Sequence, residues 1–153
     1  MNRSRYVTRH LDKIDREIIA ALTEDGRISA KHLAEQIGLS SPSIGERILK
    51  LKDAGAILGY TVVIDPSVFG LSLSAFLRIE AMPGQLTKVV ELLRDTQQIV
   101  EAYRVTGTDG FVAQVLVCNA QDLEAVADRF VPFASTHTAI VQSVTVPRRL
   151  PKL

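Results

Sequence analysis

Apolar residues in the first third of the chain recur at helical spacing. Leu11, Ile14, Ile18, Ile19 and Leu22 keep to one face until Gly26, which predicts an amphipathic helix. Asp12 stands at the N-cap position, and Asp15 three residues on completes a helix-start signal. A shorter helix follows, with Ser29 as its cap and Leu33, Ala34 and Ile37 as its buried stripe. Gly38 supplies a left-handed stop. A third helix starts after a short turn, where Ser41 precedes Pro42 at the first helical position. Ile44, Ile48 and Leu51 mark its inner face, and it ends near Gly55.

The pattern changes at Ala56. Residues 57–65 (ILGYTVVID) are β-branched and stop at Pro66, so they read as an extended connector or a strand. Beyond them a β-α-β order occurs twice. Residues 73–81 alternate Leu73, Ala75, Leu77 and Ile79 on one face. Pro83-Gly84 makes a turn, Leu86, Val89, Val90 and Leu93 form a helical stripe, and residues 99–106 return as a strand. Residues 111–118 form the next strand, Asn119 caps a helix bearing Leu123, Val126 and Phe130, and residues 137–146 form the last strand. Two such units in tandem predict a ferredoxin-like βαββαβ fold, one antiparallel sheet with two helices on one face. The strand over residues 111–118 is apolar on both faces: Val112, Leu116 and Cys118 back onto Phe111, Ala113, Val115 and Val117. The second face therefore calls for a cover, and a sheet-to-sheet homodimer is the simplest one.

The chain is thus expected to be α+β, with a three-helix helix-turn-helix domain over residues 11–56 and a connector over 57–70. A ferredoxin-like domain follows over 71–147, with tails at 1–10 and 148–153. Composition narrows the class further. At 153 residues, 46% hydrophobic and 23% charged, the chain is globular. One cysteine, Cys118, excludes an intrachain disulfide and suits a reducing cytoplasm, and its place in an apolar strand predicts a core position. No apolar run reaches membrane-spanning length. The histidines, His10, His32 and His137, lack metal-ligand spacing, so neither a metal nor a cofactor is expected.

Net charge is +1. Residues 1–60 hold 10 Lys/Arg against 8 Asp/Glu (+2), and residues 61–153 hold 8 against 9 (−1). Binding to DNA must then depend on where a few basic side chains point. Ser43, Glu46, Arg47 and Lys50 fall at i, i+3, i+4 and i+7 of the third helix, a polar stripe beside the buried one. Ser41 and Ser43 at its N-terminus can donate to phosphate or base edges, and Arg47 can pair with guanine. Gly45 adds flexibility. The same stripe also describes an ordinary surface helix, in which Glu46 and Lys50 make an intrahelical pair. Arg3, Arg5 and Arg9 read as a minor-groove arm or a disordered tail, and Arg148 and Arg149 as a solvated tail.

The stretches LDKIDREIIAALTEDGRIS and LAEQIGLSSPSIGERILKLKDAGAILGYTVVIDPSVFGL, followed by SAFLRIEA, VEAYRVTG and THTAIV, resemble the Lrp/AsnC (feast/famine) regulators over roughly residues 11–146. The resemblance implies a winged-type helix-turn-helix and a connecting strand. It also implies a ferredoxin-like domain that binds amino-acid effectors and builds homodimers and octamers. Such a protein works in the cytoplasm on promoter DNA. The effector site so implied is the hairpin Gly107, Thr108, Asp109, Gly110, with Thr136 and Thr138 matching a Thr-x-Thr pattern. The usual Asp of that hairpin is Gly110 here, and Asp109 stands one place earlier. Read alone, the same residues are ordinary hairpin and strand formers. Two alternatives stand beside this reading: an oligomeric sensor that does not bind DNA, and an enzyme resembling the tetrapyrrole decarboxylases of related sequence. Those place histidine near the first strand of the ligand domain, and residues 71–85 contain none.

Overall fold

The computed structural model describes residues 11–149. They form two compact units, one of residues 11–63 with 148–149 and the other of residues 64–147.

In the first unit, α1 (Lys13–Glu24) begins at Asp12, whose Oδ1 accepts from the Asp15 amide at 2.7 Å. The Asp15 carboxylate accepts in turn from the Asp12 amide, a reciprocal cap that satisfies two otherwise orphaned donors. Ser29 caps α2 (Ala30–Ile37) through the His32 amide, and Gly38 ends it at φ 81°, a backbone conformation that disfavours any side chain. Helix α3 (Ser41–Asp53) is capped one residue earlier than expected. Ser40 Oγ accepts from the Ser43 amide at 3.3 Å, which leaves Ser41 as the first helical residue and Pro42 as the second. Ile18, Leu33, Ala34, Ile44 and Leu51 form the core, with Ile14, Ile37 and Ile48 packed around it. Apolar stripes repeating every three or four residues therefore meet as three mutually packed helices.

The amides of Ala56 and Ile57 both donate to the Leu51 carbonyl, so the connector leaves α3 tied to its last turn. Lys52 Nζ lies 4.9 Å from the centre of the Tyr60 ring. Between the two open readings of residues 57–65, the structure takes the connector: no ladder forms there, and Leu58, Val62 and Val63 are 89%, 78% and 95% exposed.

The second unit contains β1 (Leu73–Ala81), α4 (Leu86–Asp95), β2 (Ile99–Arg104), β3 (Phe111–Val117), α5 (Ala120–Asp128) and β4 (Ala134–Ile140). The sheet order is β2-β3-β1-β4, antiparallel throughout. Ala75, Leu77 and Ile79 of β1 and Phe111, Ala113, Val115 and Val117 of β3 bury one face against Val89, Leu93, Leu123, Val126 and Phe130. The opposite face carries Phe76, Tyr103, Val112 and Leu116, which remain exposed or half-buried.

Four strand ends differ from expectation. Strand β2 stops at Arg104 because the Val105 amide closes the hairpin on the Gly110 carbonyl. The last strand begins at Ala134, where the Met82 amide already donates to Phe133, and it finishes by Val141, whose amide reaches Ser74. Residues beyond 141 have no opposing strand, so Val144 and Val146 are exposed. Cys118 falls just past β3 and is exposed instead of buried, its carbonyl accepting from Ser72 Oγ at 3.0 Å.

Candidate DNA-reading helix and effector hairpin

Three residues separate α2 from α3, the short glycine-containing turn of a helix-turn-helix. Ile44 and Leu51 point into the core, so the opposite face of α3 must face outward. Glu46, Lys50 and Gly45 are exposed there, and Ser41 and Ser43 are half-exposed at the N-terminal end. Among the described residues no ion pair joins Glu46 to Lys50, so the surface-helix pairing is not formed. A recess of about 410 Å³ opens along this face, lined by Asp12, Asp15, Ser43, Glu46, Arg47, Lys50 and Leu51.

Arg47 does not extend from that face. Its Nη1 lies 2.7 Å from Asp12 Oδ2 and 2.8 Å from Asp15 Oδ1. The Asp15 amide, and after it the Arg47 guanidinium, holds the Asp12 carboxyl below the usual carboxylate range; the two carboxylates push Arg47 upward. Sequence reasoning missed Asp12 and Asp15 as members of this site. The capping signal marked both residues, yet nothing local ties them to a side chain 35 and 32 positions away.

Asp109 and the two candidate threonines of β4 turn to different faces of the sheet. Gly107 and Gly110 take φ values of 103° and 66° in the β2-β3 hairpin that also holds Thr108 and Asp109. A β-carbon on Gly110 would come within 3.4 Å of the Ile79 carbonyl. Asp109 Oδ2 reaches Arg78 Nη1 at 3.9 Å, and Arg78 alternates with the buried Leu77 and Ile79, on the outer face. Thr136 and Thr138 stand opposite Ile79 and Leu77 on β4, so they share the helix-covered side. One chain therefore does not bring Asp109 together with the two threonines. His137 lies opposite Arg78, and His32 lies beside Glu35 on α2. The basic residues Arg3, Arg5 and Arg9, with His10, lie outside the described residues.

The model of the AsnC-type helix-turn-helix domain matches residues 11–52, and that of the Lrp/AsnC ligand binding domain matches residues 74–151. The chain belongs to the Lrp/AsnC family. It is a DNA-binding helix-turn-helix transcriptional regulator with a ligand-binding domain, as the resemblance implied. It is 34% identical to the HTH-type transcriptional regulator FL11 of Pyrococcus horikoshii over 134 residues, covering 86% of this chain and 89% of that one. The solved structure of LrpC from Bacillus subtilis matches with a TM-score of 0.85 at 26% identity, over 92% of this chain and 100% of that one. A feast or famine regulatory protein from M. tuberculosis, complexed with L-methionine, matches with a TM-score of 0.86 at 29% identity over 94% and 99%. No helix among the described residues is long and apolar enough to cross a membrane.

Proposed function

We propose that this regulator binds promoter DNA as a homodimer in the cytoplasm, presenting α3 to the major groove. Ser43, Glu46 and Lys50 face the bases and phosphates, and Ser41 and Gly45 flank them. The observation that carries this reading is the outward face of α3, which follows a three-residue turn and whose exposed Glu46 and Lys50 make no ion pair among the described residues. With net charge +1, one subunit offers few phosphate contacts, and a two-fold partner doubles them. Lys50→Ala then lowers the slope of log affinity against log salt by about 0.9 per subunit. The test is fluorescence anisotropy with the chain's own upstream DNA from low to moderate salt. Absence of binding at low salt sinks the proposal and leaves a sensor without DNA binding.

The homodimer forms through the outer face of the sheet, where Phe76 and Tyr103 are 43% and 49% exposed beside Val112 and Leu116. Octamers are the further assembly of such dimers. Phe76→Glu converts the dimer to a monomer in sedimentation; an unchanged mass excludes that face.

The second unit binds an amino acid and catalyses no reaction. The hairpin Gly107, Thr108, Asp109, Gly110 of one subunit meets Thr136 and Thr138 of another, since a single chain turns Asp109 toward Arg78 while the threonines stand opposite Ile79 and Leu77. The methionine bound to the M. tuberculosis relative supports this effector class. Calorimetry with a panel of amino acids, on wild type and Thr136→Val, tests it; equal binding in both removes the threonine from the site.

A further inference from the structure

Arg47 is the strongest cation on α3 for guanine recognition, yet it is turned toward α1. We propose that Arg47 is a positioning residue that fixes the angular setting of α3, and that DNA contact by the helix falls to Ser43, Glu46 and Lys50. The proposal rests on α3 being the DNA-reading helix.

Aliphatic packing and one polar clamp hold α3 in place. Its buried side is aliphatic, built on Ile44, Leu51 and the half-buried Ile48, and apolar burial has no direction. Such contacts choose which face of the helix is buried but leave its fine rotation about the axis less sharply defined. One guanidinium nitrogen bonded to two carboxylates at 2.7 and 2.8 Å is directional. Both acceptors belong to the reciprocal cap of α1, so the clamp references α3 to a fixed point on its neighbour. Arg47 is followed a turn later by Leu51 of the core and preceded by Glu46 of the outer face. A rotation that displaced it would carry Glu46 and Lys50 away from their shared direction. For Arg47 to reach a base, both charge-assisted bonds must break, leaving two carboxylates unneutralised beside DNA.

The two roles predict opposite effects from removing the acids. Asn retains N-cap capacity, so Asp12→Asn with Asp15→Asn strips the clamp of its charge-assisted bonds while leaving the start of α1 capped. If Arg47 reads DNA directly, this variant frees a cation and deletes two negative charges, and affinity is unchanged or higher. If Arg47 positions α3, affinity for the cognate site falls roughly tenfold, as it does in Arg47→Met, and the triple variant is no worse than either, since the partners act as one unit. The salt slope is a second readout. It stays at the wild-type value in Arg47→Met under the positioning role and drops by about 0.9 per subunit if Arg47 touches phosphate. Far-UV circular dichroism checks folding, and should the double variant lose α1, Asp15→Asn alone is measured with Asp12 still in place as cap. Arg47→Lys, which keeps the charge on a shorter side chain, recovers part of the affinity. Wild-type affinity in the acid-free variant overturns the clamp. Failure of the wild-type protein to bind DNA overturns the reading of α3 instead, so the two failures are distinct.

Discussion

Truncating Leu33 to alanine is the sharpest test of how the reading unit is held together. Leu33 is 0% exposed, at the centre of a core whose other buried members are Ile18, Ala34, Ile44 and Leu51. Leu-to-Ala substitutions at such positions cost about 3 to 5 kcal/mol, the lower figure applying where neighbours relax into the space. This core is small and ringed by half-buried Ile37, Ile48 and Leu39, so about 3 kcal/mol is expected. A helical unit of roughly 50 residues has a total stability of about 3 to 8 kcal/mol, and the substitution leaves it marginal. Native-state hydrogen exchange reads the effect by element. Because ~1.4 kcal/mol is tenfold, the protected amides of α3 should exchange about 100-fold faster or more. Those of β3, which belong to a separate core, should keep their rates. Acceleration of α3 below tenfold, or equal acceleration of β3, refutes the premise that this core alone sustains the helices.

Three further outcomes follow from single features. Gly38→Ala meets no atom within 4 Å but must hold φ 81°, so it costs about 1 kcal/mol of backbone strain, whereas Gly45→Ala, in an open helical position, gains about 1 kcal/mol; urea midpoints separate the two. Asp109→Ala removes only an exposed pair with Arg78 at 3.9 Å, worth about 0 to 1 kcal/mol, so an unchanged melting temperature with altered amino-acid affinity marks Asp109 as a ligand contact. The carboxyl of Asp12 is held below its ordinary range. Its stabilising contribution is therefore fully present above the unfolded-state pKa of about 3.9 and is lost as pH falls through the lower folded value. The acid sensitivity of α1, followed by circular dichroism below pH 4, should flatten in Asp12→Asn.

Local chemistry was readable from the sequence. Asp12, Ser29, Gly38 and Asn119 act where the pattern placed them, because a cap needs only residues within one turn of it. Ser40 and Ser41 could not be told apart, since either serine can cap a helix beside Pro42 and the choice lies in backbone angle. Strand ends failed for a different reason. The extent of β4 is set by where β1 offers partners, and the exposure of Cys118 by where β3 stops, neither of which is a property of the segment itself. Side-chain direction was the least legible. Arg47 and Asp109 stand out in the sequence as charged groups, but the partners that turn them, Asp12 with Asp15 and Arg78, lie 31 to 35 positions away.

Cys118 is the single cysteine in the sequence, and it lies exposed at the end of β3. A thiol-specific spin label attached there marks every subunit once, with no engineered cysteine and no competing site. In pulsed dipolar spectroscopy a dimer yields one interspin distance and an octamer several. Adding an amino acid or an operator fragment while following that distribution converts the question of assembly into a ruler reading on the unmodified sequence.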